Sequence, residues 1–285
     1  MVLAYLALLG RIVLLGYERI ALKKLGHESE SLSSAFLFFA LATFFLLPFS
    51  FLAPLPASFD FLKFVVLSGF VYSFAFWLYT KSLSEGEASL VSPLYNFNVF
   101  FLLILASIFL GESLSAFKFA GLLLLVYGAS FLNRKKNLFE SLKALFTNRA
   151  CVYMIATSCL IAVGRTIDGF VVQNVDPLIY STLIYAAISL FLFIYQIPAK
   201  KLSHTLDLLK TKTKIALLAG AINAYSYLFL LFAFKEIEIS VAEPASMLGM
   251  LVTLFFAGRV FKENVKDRLV AVVIMILGAW LLFIK

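Results

Sequence analysis

Residues 88–112 read ASLVSPLYNFNVFFLLILASIFLGE, and residues 239–263 read ISVAEPASMLGMLVTLFFAGRVFKE. At an offset of 151, Ser89, Pro93 and Glu112 fall on Ser240, Pro244 and Glu263, so each proline opens an apolar run and each glutamate closes it 19 residues later. Gly128 and Gly278, late in the next run, keep this register to within one residue. Near offset 150 the first run of each half holds an acid, Glu18 and Asp168. Such recurrence reads as one unit used twice. The longest polar stretch lies between the copies and carries Arg134, Lys135, Lys136, Lys143 and Arg149. The expected organisation is therefore a first unit over 1–133, a basic linker over 134–149 and a second unit over 150–285.

Outward from these two stretches, apolar runs bounded by charges or turn residues fall at 2–24, 32–53, 59–80, 88–110, 116–132, 150–173, 178–197, 214–235, 240–261 and 267–284. They are almost continuously apolar and lack the two-residue alternation of an outer-membrane barrel strand, so they read as helices. Composition agrees. The 285 residues are 62% hydrophobic and only 14% charged, with 32 Phe and a mean hydropathy of +0.99. A water-soluble chain of this size lacks the polar surface to cover so much apolar material. Ten spans of about 20 residues leave only short loops, which excludes a separate catalytic or nucleic-acid-binding domain. The expected fold is an all-α integral membrane protein with ten transmembrane helices. Five spans per unit make the second copy enter the membrane from the opposite side, so the repeats are inverted.

The formal charge of +8 is topological on this reading and implies no nucleic-acid partner, because the 24 Lys and Arg are scattered between apolar runs where lipid headgroups lie. Counted with the span ends that flank them, the loops after odd-numbered spans hold 17 of them, and the even loops with the C-terminus hold four: Lys63, Lys118, Lys235 and Lys285. By the positive-inside rule the odd loops face the cytoplasm and both termini face outward. The first run begins apolar at Val2 and passes Arg11, which marks a retained span rather than a removable signal. Cys151 and Cys159 are eight apart in one run, too far along a helix to bridge each other.

Charges inside a hydrocarbon layer cost roughly 2.5 to 3.5 kcal/mol each on insertion scales, so those that persist mark a wet cavity or a pair. Arg11, Glu18, Arg19, Arg165 and Asp168 form that set, all on the first span of a unit. Arg11 and Glu18 are seven apart and Arg165 and Asp168 three apart, which puts each pair on one helix face. Two readings stay open: carboxylates that bind coupling protons or a cationic group beside arginines that attract an anion, or pairs that neutralise each other while Glu18 and Arg19 snorkel to the headgroups. Pro93 and Pro244 either start their helices or loosen backbone along a cavity. Glu243 enters a polar cavity or sits at the interface, and Asn96 and Asn98 are ligand contacts or interhelical hydrogen bonds. Among the aromatic residues, Tyr72 and Tyr225, with Asn223, are the deeper pocket candidates, whereas Tyr79 belongs to an interfacial belt.

Catalytic and cofactor signals are sparse. His27 and His204 lie in different loops, no cluster has metal-ligand spacing, and no Gly-rich loop precedes a Lys-Ser/Thr pair to hold nucleotide phosphates. The expectation is no enzyme, no metal and no cofactor, with an ion or substrate gradient as the energy source.

The segment from Glu87 to Phe131, opening ASLVSPLYN and closing FLGES, and its echo from Ile239 to Ile284, with SVAEPASM and FKENV, resemble the ten-span EamA-type branch of the drug/metabolite transporter superfamily. That resemblance implies a secondary transporter in the cytoplasmic (inner) membrane with substrates among amino acids, nucleosides, cofactors and nucleotide sugars, and it implies termini inside, the reverse of the charge count. Embedded charges of both signs point to a zwitterionic or charged metabolite. Export of an amino acid or similar solute is the leading expectation, with a proton as the simplest coupling ion. The alternatives are a multidrug exporter of the same superfamily and a non-transporting scaffold or subunit handling lipid-linked substrates. Oligomeric state is open at this level.

Overall fold

The computed structural model describes residues 2–54, 56, 58–110, 115–132, 138–237 and 239–281. Among the described residues every regular element is helical. Five helices are long and apolar enough to cross a membrane unaided: α2 (Ser31–Ser50), α3 (Leu62–Glu85), α8 (Arg149–Val171), α9 (Pro177–Ala199) and α11 (Thr213–Phe234). Before them α1 (Val2–Gly26) is as long but carries three buried charges, Arg11, Glu18 and Arg19. The other apolar segments are shorter: α4 (Ala88–Val91) with α5 (Phe97–Leu110), α6 (Ala116–Ser130), α12 (Ile239–Ser246) with α13 (Gly249–Phe261), and α14 (Lys266–Leu281).

Local chemistry sets several ends. Glu30 accepts from Ser33 N at 2.6 Å at the start of α2. Asn148 accepts from Cys151 N at 3.3 Å at α8, and Asp176 accepts from Leu178 N at 2.8 Å at α9, where Pro177 occupies the first turn. These are N-cap side chains satisfying amides that have no intrahelical acceptor. Lys200 and Lys262 close α9 and α13 in the left-handed conformation.

Two short helices lie where the sequence reading places loop: α7 (Leu138–Thr147) within the basic linker and α10 (Leu202–Thr211) between α9 and α11. Their apolar residues fall on one face, with Leu145 and Leu208 buried, and charge masks that pattern in a search for continuous apolar runs. The prolines also need correction as helix starts. Pro93 lies in a 3-10 turn over Ser92–Asn96 that breaks the span between α4 and α5, and the span carrying Pro244 breaks at residues 247–248 between α12 and α13. Proline removes one amide from the helical ladder, and the break falls beside the polar centre, where exposed backbone is tolerated.

Packing follows a two-fold pattern. With α1 equivalent to α8, α2 to α9, α3 to α11 and α6 to α14, the α1–α11 contact repeats as α8–α3, the α2–α11 contact as α9–α3, and the α1–α13 contact as α8–α5. The α2–α9 and α6–α14 contacts map onto themselves. The last of these is close because Gly278 faces Gly121 backbone: an added Cβ would stand 2.8 Å from Gly121 O. The first helix of each unit thus packs against the other unit, bringing their charges together at the centre.

Candidate functional site

On α1, Arg11, Leu15 and Glu18 follow helical spacing and face the centre, where Phe76, Tyr79, Tyr95, Arg165, Tyr185 and Asn223 complete the lining of a small cavity. Its volume is about 10 Å³, close to the least that admits one water. Arg11 donates to Ser226 Oγ at 2.5 Å and stands 3.6 Å from Glu18 Oε2. Across the centre Arg165 pairs with Asp168 and with Glu243, each at 3.0 Å. Asp168 also accepts from Tyr72 OH at 2.5 Å and Tyr180 OH at 2.8 Å. The Arg165 guanidinium lies 5.1 Å from the Tyr227 ring centre and 5.7 Å from that of Tyr72. A cation between rings and carboxylates is held by several weak attractions that strengthen as water is excluded.

Gly164 makes the Tyr72 contact possible, since a Cβ there would come within 2.3 Å of the Tyr72 ring. Nothing in the sequence marks this glycine apart from its place beside Arg165. Tyr185 donates to Asn223 Oδ1 at 2.7 Å, and Asn223 Nδ2 donates to Phe38 O at 3.4 Å.

Of the sequence candidates, Arg11, Glu18, Arg165 and Asn223 line the cavity, and Tyr72, Asp168 and Glu243 form the network on its Arg165 side. Asn96 is buried, with Nδ2 on Met250 Sδ at 3.2 Å, while the buried Oδ1 atoms of Asn96 and Asn98 have no partner. Two placements differ from expectation. Tyr225 is only half-buried and packs edge-on to Phe49, away from the cavity. Tyr79, expected in the interfacial belt, is buried on the cavity wall. Successive helix residues point about 100° apart, so depth read along the chain does not say which way a ring turns. Arg19, for which snorkelling to the headgroups is one of the two open readings, is fully buried. Tyr180, Tyr185 and Ser226 escape the sequence reading because neutral residues carry no cost signal in an apolar run.

The face bearing the odd loops carries a second polar cluster. Glu263 accepts from Ala88 N at 3.0 Å, Ser89 N at 2.7 Å and Ser89 Oγ at 2.6 Å, capping α4, and pairs with Lys23 at 3.1 Å. Lys23 also donates to Gly86 O, and Arg268 bonds Ser89 Oγ and pairs with Glu87 at 2.5 Å. Burial pushes the Glu263 carboxyl up, but the Ser89 hydrogen bonds and the Lys23 charge outweigh it and leave the group below its usual value. The repeat motif Ser89…Glu112 and Ser240…Glu263 is therefore joined between units here, with Glu263 of the second unit on Ser89 of the first. Glu112 and Arg134 to Lys136 lie outside the described residues. On the opposite face a surface cavity of about 450 Å³ opens between the start of α3 and the end of α8, lined by Asp60, Phe61, Lys63, Phe64, Phe170 and Asn174. Its floor, at Phe64 and Val171, is one helical turn from Ser68 and Asp168.

Residues 2–134 match the EamA-like transporter family. This part of the chain is similar to a domain of the drug/metabolite transporter superfamily, and the apolar helices together with that match make the chain a multi-pass integral membrane protein. No curated protein matches the sequence. Twenty-seven chains of solved structures match; one, described as "Crystal structure of protein", aligns with a TM-score of 0.63 at 13% identity, covering 98% of this chain and 95% of its own. At that identity the likeness shows the shared fold alone.

Proposed function

We propose that the chain is a ten-span secondary transporter of the cytoplasmic membrane, built as units 1–133 and 150–285 about the linker 134–149, that moves a small zwitterionic or charged metabolite such as an amino acid by alternating access. The observation that carries this reading is the burial of three arginines and three carboxylates, drawn from both units, with Arg11, Glu18 and Arg165 lining one small cavity. Embedded charge of this kind is expensive in lipid and marks substrate and ion pathways. The Glu263 cluster is the closed gate of the face bearing the odd loops, and the cavity beside Asp60 and Lys63 is the vestibule of the other. Glu18 is the coupling carboxylate, because it has fewer fixed donors than Asp168, and a proton is the ion it exchanges. Export follows from the gradient direction that proton exchange supplies.

Purified protein in proteoliposomes, loaded with an amino-acid mixture and subjected to a proton gradient, is the direct test. Gradient-driven solute movement that Glu18→Gln abolishes supports the reading. Movement unaffected by Arg11→Ala and Arg165→Ala points to a multidrug exporter instead, and no movement of any solute by folded protein points to a non-transporting scaffold.

A further inference from the structure

The buried arginines are not equally compensated. Arg11 has Glu18 at 3.6 Å, and Arg165 has both Asp168 and Glu243 at 3.0 Å. Arg19 is 1% exposed, yet among the described residues no carboxylate stands within 4.0 Å of it, and its Nε and Nη1 are buried with no hydrogen-bond partner. Its guanidinium lies 5.2 Å from the ring centre of Tyr95, and Tyr95 with Tyr79 forms part of the cavity wall. Along α1, Arg19 is one turn from Leu15 of the cavity and one turn from Lys23 of the Glu263 cluster.

We propose that Arg19 is the anion subsite of the transport route, binding the carboxylate or phosphate of the solute between the cavity and the Glu263 gate. The inference rests on the transporter reading and adds to it that the solute carries an oxyanion. Three features support it. An arginine placed to support the fold would have its planar donors occupied, because unpaired donors in a buried site carry their full desolvation cost. A residue placed to fill space would not need a charge at all. A guanidinium with two unpartnered N–H donors against an aromatic face suits charge-assisted hydrogen bonds to a carboxylate or phosphate. Arg11 and Arg165 also have an Nε without a hydrogen bond, but each stands beside a carboxylate, at 3.6 Å for Arg11 and 3.0 Å for Arg165, and Arg19 does not among the described residues. Arg165 thus has two carboxylates of its own unit within ion-pair distance, and Arg19 is left for a group that comes and goes.

The test compares melting temperatures of purified wild type, Arg19→Met and Arg165→Met, without additive and with succinate or inorganic phosphate, using sodium chloride at matched ionic strength as the control. Methionine keeps the apolar stem. Arg19→Met is expected to melt several degrees above wild type without additive, since it removes an uncompensated cation, whereas Arg165→Met melts below it. Succinate or phosphate is expected to raise the wild-type melting temperature beyond the chloride control and to leave Arg19→Met unmoved, because a ligand of the folded state stabilises only where it binds. Arg19→Met melting at or below wild type, an oxyanion shift that survives in it, or no oxyanion shift in wild type overturns the subsite. Uptake in proteoliposomes separates the two ideas: transport by Arg19→Met with an unchanged KM for an anionic solute removes the subsite and leaves the carrier standing.

Discussion

Asp168 on α8 and Glu18 on α1 occupy equivalent places in the two units but are held very differently. Asp168 accepts from Tyr72 at 2.5 Å and Tyr180 at 2.8 Å and pairs with Arg165 at 3.0 Å. Glu18 has Arg11 at 3.6 Å and a buried Oε2 that receives no hydrogen bond. The cause lies in the partner helices. The position that is Tyr72 on α3 is Asn223 on α11, and Asn223 is occupied by Tyr185 and Phe38 instead of reaching the acid. Asp168 is held at short range by three side chains, whereas Glu18 has a longer pairing with Arg11 and lies beside Ser226.

The comparison breaks most readily at Asp168. Asp168→Asn should destabilise the protein by about 3 to 5 kcal/mol, the range for removing one member of a buried pair, seen as a large drop in melting temperature. An effect no larger than that of Glu18→Gln would show that the two acids are held alike. Tyr72→Phe should cost about 1 to 3 kcal/mol, since it withdraws one donor from a buried carboxylate, and the same instrument reads it.

Glu263→Gln should cost about 1 kcal/mol through the weakened α4 cap and should raise the labelling rate of a cysteine introduced near Ser89, because the gate opens more often. Its pH dependence has a definite sign. The folded carboxyl lies below the ordinary value of 4.5, so its contribution is fully present above that value and is lost as pH falls through the folded value. Accelerated labelling in acid that Glu263→Gln abolishes is the expected signature, and labelling independent of pH would remove Glu263 from the gate.

The smallest effect on stability is expected for Glu18→Gln, below about 1 kcal/mol, because a carboxyl with so few donors loses little when replaced by its neutral isostere. Its effect on function should be large, with solute movement persisting but no longer responding to a proton gradient. Retained coupling would transfer the role to Asp168.

Part of the site is legible in the chain itself. The five embedded charges stand out because lipid penalises them, and helical spacing pairs Arg11 with Glu18 and Arg165 with Asp168. Tyr79 and Tyr225 exchange places relative to expectation because distance along a span says nothing of rotation about it. The helices α7 and α10 escape a search for apolar runs because half of each amphipathic helix is charged or polar.

Composition and periodicity alone establish an all-α membrane chain with a repeated unit, because hydrophobic burial and backbone satisfaction in lipid depend on residue type summed over a span. The register of Ser89 with Ser240 and Glu112 with Glu263 is likewise a property of the chain. Only the tertiary structure decides which acid is clamped and which is loose, that Glu263 of one unit caps a helix of the other, and that Arg19 has no carboxylate beside it among the described residues. Those facts depend on distances of a few ångströms between helices far apart in sequence, and hydrogen bonds and ion pairs are sensitive to such distances.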